Sequence, residues 1–147
     1  MIRIMPSERP LIDAYPFQTS ITTRWSDNDV YGHINNVAYY SYFDSAANLF
    51  LIQEGGLDIA RGDEIGVVVE SKCVYHAPLA YPAPVRAGVR VDKLGNRAVT
   101  YGIAIFGETD PRAAAHGYFV HVFVDRATRM PVPIPPRLRE ALARLQA

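Results

Sequence analysis

The stretch NVAYYSYFDSAANLFLIQE, residues 36–54, decides how this chain of 147 residues folds. Its polar side chains recur at helical spacing, at Ser41, Asp44, Ser45 and Asn48. Nearly all of the remaining surface is apolar, so a helix built from this stretch must be mostly buried. Asparagine favours the start of a helix and the glycine pair at 55–56 favours its end, so we predict one long helix over 36–54.

On both sides of this helix the sequence indicates strands. β-branched or alternating segments occupy residues 17–25 before the helix and 65–75, 85–91, 98–106 and 117–125 after it. Gly95-Asn96 is a hairpin turn signal. A proline-rich link and a short helix over 137–145 close the chain. This order predicts an α+β fold, in which a five-stranded antiparallel sheet wraps around one long central helix.

The length of the chain fits one domain, which is large enough to bury a core unaided. Prolines at positions 6, 10 and 16 forbid a helix through residues 1–16, and we predict an N-terminal arm there. That arm is also too polar and too interrupted for a signal peptide. Residues 17–147 are predicted to form the single folded domain.

Charge and composition exclude several classes of partner. The formal net charge is zero, so bulk charge draws the chain neither to nucleic acid nor to an anionic membrane, and an anionic ligand must meet a local basic cluster. No stretch of about 18 apolar residues occurs, which excludes a spanning helix. The single cysteine, Cys73, excludes an internal disulfide and favours a reducing compartment, so we predict a cytoplasmic protein.

Neither the cysteine nor the histidines indicate a bound cofactor. Cys73 lies in an apolar, strand-like run, which favours a buried structural thiol over a catalytic one. The histidines at 33, 76, 116 and 121 have no metal-ligand spacing and no cysteine cluster beside them. We therefore predict no metal site and no other cofactor.

The loop RWSDNDVYGHINN, residues 24–36, runs directly into the predicted helix. It resembles the signature of the 4-hydroxybenzoyl-CoA thioesterase-like family of hotdog proteins. That signature is an aspartate, any residue, a second aspartate, two residues and Gly-His-hydrophobe-Asn-Asn, followed by a tyrosine-containing helix start. The segments VFVDR at 122–126 and RMPVP at 129–133 are similar to the family's last strand and proline-rich exit. The resemblance covers most of residues 17–140 and implies a single hotdog thioesterase domain.

The resemblance implies hydrolysis of an acyl-CoA thioester to a free acid and CoA. By position, Asp29 matches the family's catalytic aspartate, and the backbone N–H of Asn36 matches the group that polarises the thioester carbonyl. Such a place suits the chemistry, because a helix N-terminus offers unpaired N–H groups and favours negative charge. Asp29 would act either as a nucleophile, giving a mixed anhydride, or as a general base on water, and both routes stay open.

Each residue of the loop also has a structural interpretation. Turn or capping roles would suffice for Asp27, Asn35 and Asn36. Gly32 suits a positive φ or a close backbone approach to the ligand. Asp29 could serve only to organise the loop. His33 either takes part in the site or braces the loop through the hydrogen bonds of its ring.

Further substrate contacts are expected beyond the loop. Tyr39 and its aromatic neighbours on the helix either line an acyl pocket or belong to the core. Lys93 and Arg97 flank the hairpin turn, where family members often carry basic residues, and would meet the CoA phosphates. Arg126 and Arg129 are a second basic pair, and a merely solvated face is the alternative for all four. The family's frequent basic residue near position 48 is absent, which leaves the choice of substrate open.

We expect a homodimer or a homotetramer. One helix leaves one face of the sheet and its edge strands uncovered, and the last strand is apolar on both faces. Hotdog relatives build their site at the dimer interface. Glu70 and Ser71 are therefore expected to complete the substrate site of the partner.

Two other functions stay open at this point. The chain could bind acyl-CoA or an acyl-carrier protein without turnover, although a pure binder would not need a carboxylate facing a thioester. A hotdog hydratase or dehydratase would require a histidine on the long helix, and none lies between positions 37 and 54. The length and chemistry of the acyl group cannot be read from the sequence.

Overall fold

A computed structural model describes residues 8–146, and in them five strands and two α-helices form the predicted α+β layout. The elements in chain order are β1 Phe17–Ile21, α1 Asn36–Gln53, β2 Glu64–Tyr75, β3 Val85–Leu94, β4 Ala98–Phe106, β5 Ala115–Asp125 and α2 Pro136–Ala143. The predicted hotdog arrangement, one sheet around one long helix with a short C-terminal helix, is confirmed.

The five strands form one antiparallel sheet in the order β1-β3-β4-β5-β2. β3 and β4 are joined by the predicted hairpin, whose turn is closed by a 2.8 Å hydrogen bond from the Gly95 N–H to the Ala98 carbonyl. β5 lies inside the sheet, whereas β1 and β2 are its two edges. Within residues 8–146, the long strand β2 therefore has one row of backbone groups that pairs with no other strand.

α1 packs its apolar surface against one face of the sheet, here called the inner face. Phe43, Ala46, Ala47 and Leu51 on the helix are fully buried, in one cluster with Val89, Ile103 and Phe123 of the sheet. Replacing one such ring, as in Phe43→Ala, costs about 3–5 kcal/mol in a typical core. Among the helices of residues 8–146, none combines the length and the hydrophobicity that a membrane span requires.

The opposite, outer face of the sheet is covered at one end by residues that precede β1. Tyr15 is 1% exposed and packs against Phe106 and Ala104. It crosses β3 at Gly88, where an added Cβ would lie 2.7 Å from the Tyr15 Cβ, so only glycine leaves room for this crossing. Backbone hydrogen bonds from Ile12 to Pro111 and from Ala113 to Pro10 hold the segment in place.

β2 begins at Glu64 and β5 at Ala115, one and two residues before the predicted starts, and β1 and β3 end at other residues than predicted. β1 ends at Ile21 rather than at residue 25, because its partner β3 starts at Val85, directly after a proline that has no N–H to offer. Thr23 instead donates its hydroxyl to the Ala83 carbonyl at 2.9 Å. β3 continues to Leu94, past the predicted end at residue 91. A bulge between Val91 and Lys93 shifts the alternation of apolar and polar side chains from which the end of the strand was predicted.

Candidate active site

Asp27 anchors the loop from inside the protein. Its side chain is 4% exposed and accepts hydrogen bonds from the Arg24 N–H at 2.9 Å and from the Tyr42 hydroxyl at 2.7 Å. Its own carbonyl accepts from the Asn35 N–H, next to the start of α1. Burial by itself raises the pKa of Asp27, but the hydrogen bonds from Tyr42 and Arg24 outweigh it and hold that pKa below its ordinary value. This geometry supports the predicted turn role.

Asp29 lies half-buried in a tight loop that its own carboxylate helps to close. The Oδ1 atom accepts from the N–H groups of Tyr31 at 2.9 Å and of His33 at 3.3 Å. The Asp29 N–H also donates to the His33 carbonyl at 2.8 Å, and Gly32 takes a φ of +83° inside the loop. The predicted conformational role of Gly32 is confirmed, and the Asp29 carboxylate is fixed in orientation.

The start of α1 leaves one backbone N–H open. The Asn35 side chain caps the helix by accepting from the Val37 N–H at 3.0 Å. The backbone carbonyl of Asn35 accepts from the Ala38 N–H. The N–H of Asn36 has no acceptor anywhere in the part of the chain that the structure describes. An exposed donor at a helix N-terminus is suited to hold a developing negative charge.

A cavity of about 370 Å³ brings these groups together. Its lining consists of Asp29, His33, Ile34, Asn36, Tyr39, Tyr75, His76, Ala77 and Pro78. Four of the residues predicted from the sequence, Asp29, His33, Asn36 and Tyr39, therefore share one space. A second pocket of about 500 Å³ is also lined by Asp29 and Gly32.

Tyr75 and His76 also line the cavity, although they were not among the predicted site residues. Tyr75 donates its hydroxyl to the Asn36 carbonyl at 2.7 Å, and its ring contacts that of Tyr39 with centroids 5.1 Å apart. Burial, with a contribution from Cys73, raises the pKa of Tyr39 to about 12. The sequence pattern that could have indicated these two residues is a tyrosine and a histidine at the end of a long β-branched run. That run forms β2, which ends beside the start of α1.

The segment after β2 builds the wall of the cavity. The N–H groups of His76 and Ala77 both donate to the Ala114 carbonyl, at 2.8 and 3.1 Å. The Leu79 carbonyl accepts from the Ile34 N–H at 2.8 Å, so this wall is bonded to the loop that precedes α1. Cys73 is half-buried against the core, and burial raises the pKa of its thiol to about 11, which does not favour a reactive thiolate.

The remaining predicted substrate residues lie elsewhere in the single chain. Glu70, Lys93 and Arg97 line a groove of about 530 Å³ on the outer face of the sheet. Strand register explains why they meet, because Glu70 lies opposite Val120, Val120 opposite Thr100, and Thr100 opposite Lys93. None of the three lines the Asp29 cavity.

Ser71 and Arg126 also lie apart from the cavity. Ser71 pairs with Phe119, on the opposite face of the sheet from Glu70, as the alternation of side chains along a strand requires. Arg126 donates to the Gly62 and Ile59 carbonyls, so that guanidinium organises a neighbouring loop.

In residues 8–146 no group of three or more acidic, histidine or cysteine side chains could hold a metal ion.

The match to a known protein family covers the region of sequence that forms the candidate site. The Thioesterase-like superfamily matches residues 23–142, which include the Asp29 loop, α1 and four of the five strands. The chain belongs to this superfamily. Among curated proteins no match is found.

Solved structures share the architecture of this thioesterase-like protein. The PA5185 protein from Pseudomonas aeruginosa is 53% identical, with a TM-score of 0.93, over 95% of this chain and 97% of that one. A predicted thioesterase from Bacillus stearothermophilus is 26% identical, with a TM-score of 0.76, over 89% and 96% of the two chains. A 1,4-dihydroxy-2-naphthoyl-CoA thioesterase from Synechocystis, 16% identical over 88% and 96%, has a TM-score of 0.77 and shares the fold.

Proposed function

We propose that this protein hydrolyses an acyl-CoA thioester to a free acid and CoA. One observation carries the proposal: Asp29, whose carboxylate is fixed, and Asn36, whose N–H is open, line the same cavity. Membership of the Thioesterase-like superfamily supports thioester hydrolysis in general. The Synechocystis relative, named for an aromatic acyl-CoA, supports CoA as the thiol part of the substrate.

The two groups have complementary tasks in this proposal. The thioester carbonyl oxygen points at the Asn36 N–H, which stabilises the negative charge that develops as the carbonyl carbon is attacked. The attacking oxygen is that of Asp29 or of a water molecule that Asp29 deprotonates. In the first route the C–S bond breaks, CoA leaves as the thiolate, and water then hydrolyses the acyl-aspartyl anhydride.

His33 and Tyr39 are proposed to shape the substrate around the reacting carbonyl. The His33 backbone already braces the loop through its N–H and carbonyl, so only its exposed ring is free to meet the substrate. The Tyr39 ring is 3% exposed and forms an aromatic wall with Tyr75. We propose that this wall contacts the acyl group, with Gly32 allowing the loop to approach it closely.

We further propose that the active protein is a homodimer paired through β2. The free edge of this strand exposes three consecutive apolar residues, Val67 at 38%, Val68 at 43% and Val69 at 58%. An exposed, apolar edge strand favours pairing with another strand. A second copy there would bring its Glu70 and Ser71 toward this chain's site.

The CoA phosphates are proposed to lie in the outer-face groove, against Lys93 and Arg97. The chain has zero net charge, so an anionic ligand must be attracted by a local cluster of cations. Lys93 and Arg97 form such a cluster, because both border the same groove. The single free cysteine, Cys73, supports a reducing, cytoplasmic location.

A hydrolysis screen tests the proposal against simple binding of acyl-CoA. Purified protein is offered short, medium, long and aromatic acyl-CoAs without added metal, and released thiol is measured. We expect turnover of at least one of them. Tight binding without thiol release from any of the panel would instead identify a binding module.

A further inference from the structure

His76 and His116 form a hydrogen-bonded pair beside the candidate active site. Nε2 of His76 lies 2.7 Å from Nδ1 of His116. The ring planes are within 5° of parallel and the centroids are 4.9 Å apart, so the rings meet edge to edge rather than face to face. Each ring therefore keeps one further nitrogen, Nδ1 on His76 and Nε2 on His116. No hydrogen-bond partner for either is found among residues 8–146.

The pair connects two different sides of the protein. His76 lines the cavity that contains Asp29 and Asn36. His116 lies on β5, in register with Val74 and Ala104 on the outer face of the sheet. Both side chains are half-buried, and the backbone of His76 is held by its hydrogen bond to Ala114. The two rings thus form a continuous link from the cavity to the outer face.

The surroundings of the pair favour two neutral rings at pH 7. Burial lowers the pKa of His76, and the nearby Arg9 guanidinium lowers it further. Burial also lowers the pKa of His116, with His76, Arg90 and Lys72 acting in the same direction. Two carboxylates face this group of cations: Asp110 lies 3.6 Å from Arg9, and Asp92 lies 2.8 Å from Arg90.

A neutral pair has two equivalent arrangements of its protons. In one, His76 donates from Nε2 and His116 carries its single proton on Nε2. In the other, His116 donates from Nδ1 and His76 carries its single proton on Nδ1. Moving between them takes up a proton at one end and releases one at the other, and neither ring stays charged.

We propose that His76 and His116 relay protons for the thioester hydrolysis proposed above, with His76 as the group that meets the reacting atoms. On the route through the acyl-aspartyl anhydride, Nδ1 of His76 gives a proton to the departing thiolate and then takes one from the water that hydrolyses the anhydride. Each transfer shifts the shared proton between the rings, and His116 exchanges the matching proton with solvent on the outer face. One proton is given and one is taken in each turnover, so the pair returns to its starting state.

The relay is tested by comparing His76→Gln, His76→Ala and His116→Gln with the wild type on an acyl-CoA that the wild type hydrolyses. We expect kcat of His76→Gln to fall about 100-fold, with KM and the melting temperature nearly unchanged. Added imidazole should restore part of the activity of His76→Ala. It should not restore Asp29→Asn, which is the matched control. His116→Gln keeps a hydrogen bond to His76 but cannot pass a proton onward. Because His76 itself is still present to meet the reacting atoms, kcat should fall less than in His76→Gln.

The pH profile separates a relay from a merely structural pair. His76 must be neutral to accept a proton, so wild-type kcat should decrease as pH falls through a pKa below 6.5. That part of the profile should vanish in His76→Gln. Without substrate, ring ¹⁵N chemical shifts should show both rings neutral at pH 7, and a charged ring there would overturn the relay.

The outcomes distinguish this inference from the proposed function. A wild type that releases no thiol from any acyl-CoA overturns both. Wild-type turnover that survives His76→Gln unchanged overturns the relay and leaves the thioesterase proposal intact.

Discussion

The Tyr42 hydroxyl donates a 2.7 Å hydrogen bond to Oδ2 of Asp27, and this contact ties the loop to the buried side of α1. Asp27 is 4% exposed, so losing the Tyr42 hydroxyl removes one of the hydrogen bonds that compensate a buried carboxylate, and only those from Arg24 remain. Tyr42→Phe should therefore lower the free energy of unfolding by about 1–3 kcal/mol. Denaturant unfolding measures this, and an unchanged midpoint and slope would contradict it.

Asp29→Asn should abolish most of the turnover while leaving the fold intact. The amide keeps the shape of the side chain but loses the anionic oxygen, so kcat should fall at least ~100-fold, the usual scale for a positioned acid–base group. The measurement is thiol release beside the melting temperature.

Asp27→Asn is the matched control for that experiment, because it removes the same charge two residues away. Its main effect should be on stability, because the carboxylate accepts from Arg24 and Tyr42. His33→Ala should lie between the two in turnover. A dead Asp27→Asn beside an active Asp29→Asn would mean that the catalytic role belongs to the other carboxylate.

Pairing through β2 should be sensitive to the backbone at Val69. This residue lies at the bulge in the β2–β5 ladder and is 58% exposed. Val69→Pro removes the N–H of a residue that has no partner in the β2–β5 ladder, a change that a bulge on a lone edge strand tolerates and an intermolecular ladder does not. Light scattering should show a dimer or tetramer for the wild type and a smaller species for the proline variant.

Val69→Thr, which keeps the branched shape and the N–H, should assemble as the wild type does. A wild-type monomer at micromolar concentration would refute pairing through this edge. Loss of turnover together with assembly in Val69→Pro would support a site completed by the partner.

The cations of the outer-face groove should contribute to the binding of acyl-CoA but not to the rate of its hydrolysis. Lys93→Glu should raise KM for acyl-CoA, because it places a negative charge where the phosphates are proposed to lie, and should leave kcat nearly unchanged. A pantetheine thioester, which lacks the nucleotide, should show no such difference. Arg129→Glu, an exposed change outside the groove, is the control, and an equal effect there would argue against this location.

His121 should make the protein less stable in mild acid. Its ring is 1% exposed and lies 3.1 Å from the Tyr101 hydroxyl, and burial lowers its pKa to about 4. The unfolded chain then binds more protons than the folded one between pH 6.5 and about 4. The free energy of unfolding should therefore fall across this window, with up to about 3 kcal/mol from His121 alone.

Unfolding curves at several pH values measure this slope, and His121→Gln is the comparison. Glutamine keeps a hydrogen-bond acceptor for Tyr101 and does not titrate, so the slope should become shallower. It should not vanish, because the lowered pKa values of His76 and His116 act in the same direction. Identical slopes in both proteins would contradict the assignment.

The fold was predictable because its decisive signals are local. The helix boundary at Asn36 follows from a capping residue, and the alternation of Val85, Ala87 and Val89 follows from one buried sheet face. The end of β1 was not predictable from its own residues, since it depends on where the proline before β3 falls.

The cavity was only half predictable, for a related reason. Asp29, His33 and Asn36 come from one continuous loop, so a local motif brings them together. Tyr75 and His76 reach the cavity only because β2 lies at an edge of the sheet and ends beside α1. The pairing of His76 with His116 depends on the β2–β5 register, 40 residues apart, which no local pattern encodes.

The two amide hydrogen bonds to Oδ1 of Asp29 make its two oxygens chemically different. A carboxylate in water turns freely about its Cβ–Cγ bond, so either oxygen can meet a reactant. Here Oδ1 is held by Tyr31 and His33, while Oδ2 accepts no hydrogen bond from residues 8–146. The side chain therefore offers a single oxygen in one direction, and its rotational freedom is lost when the loop folds, before any substrate arrives.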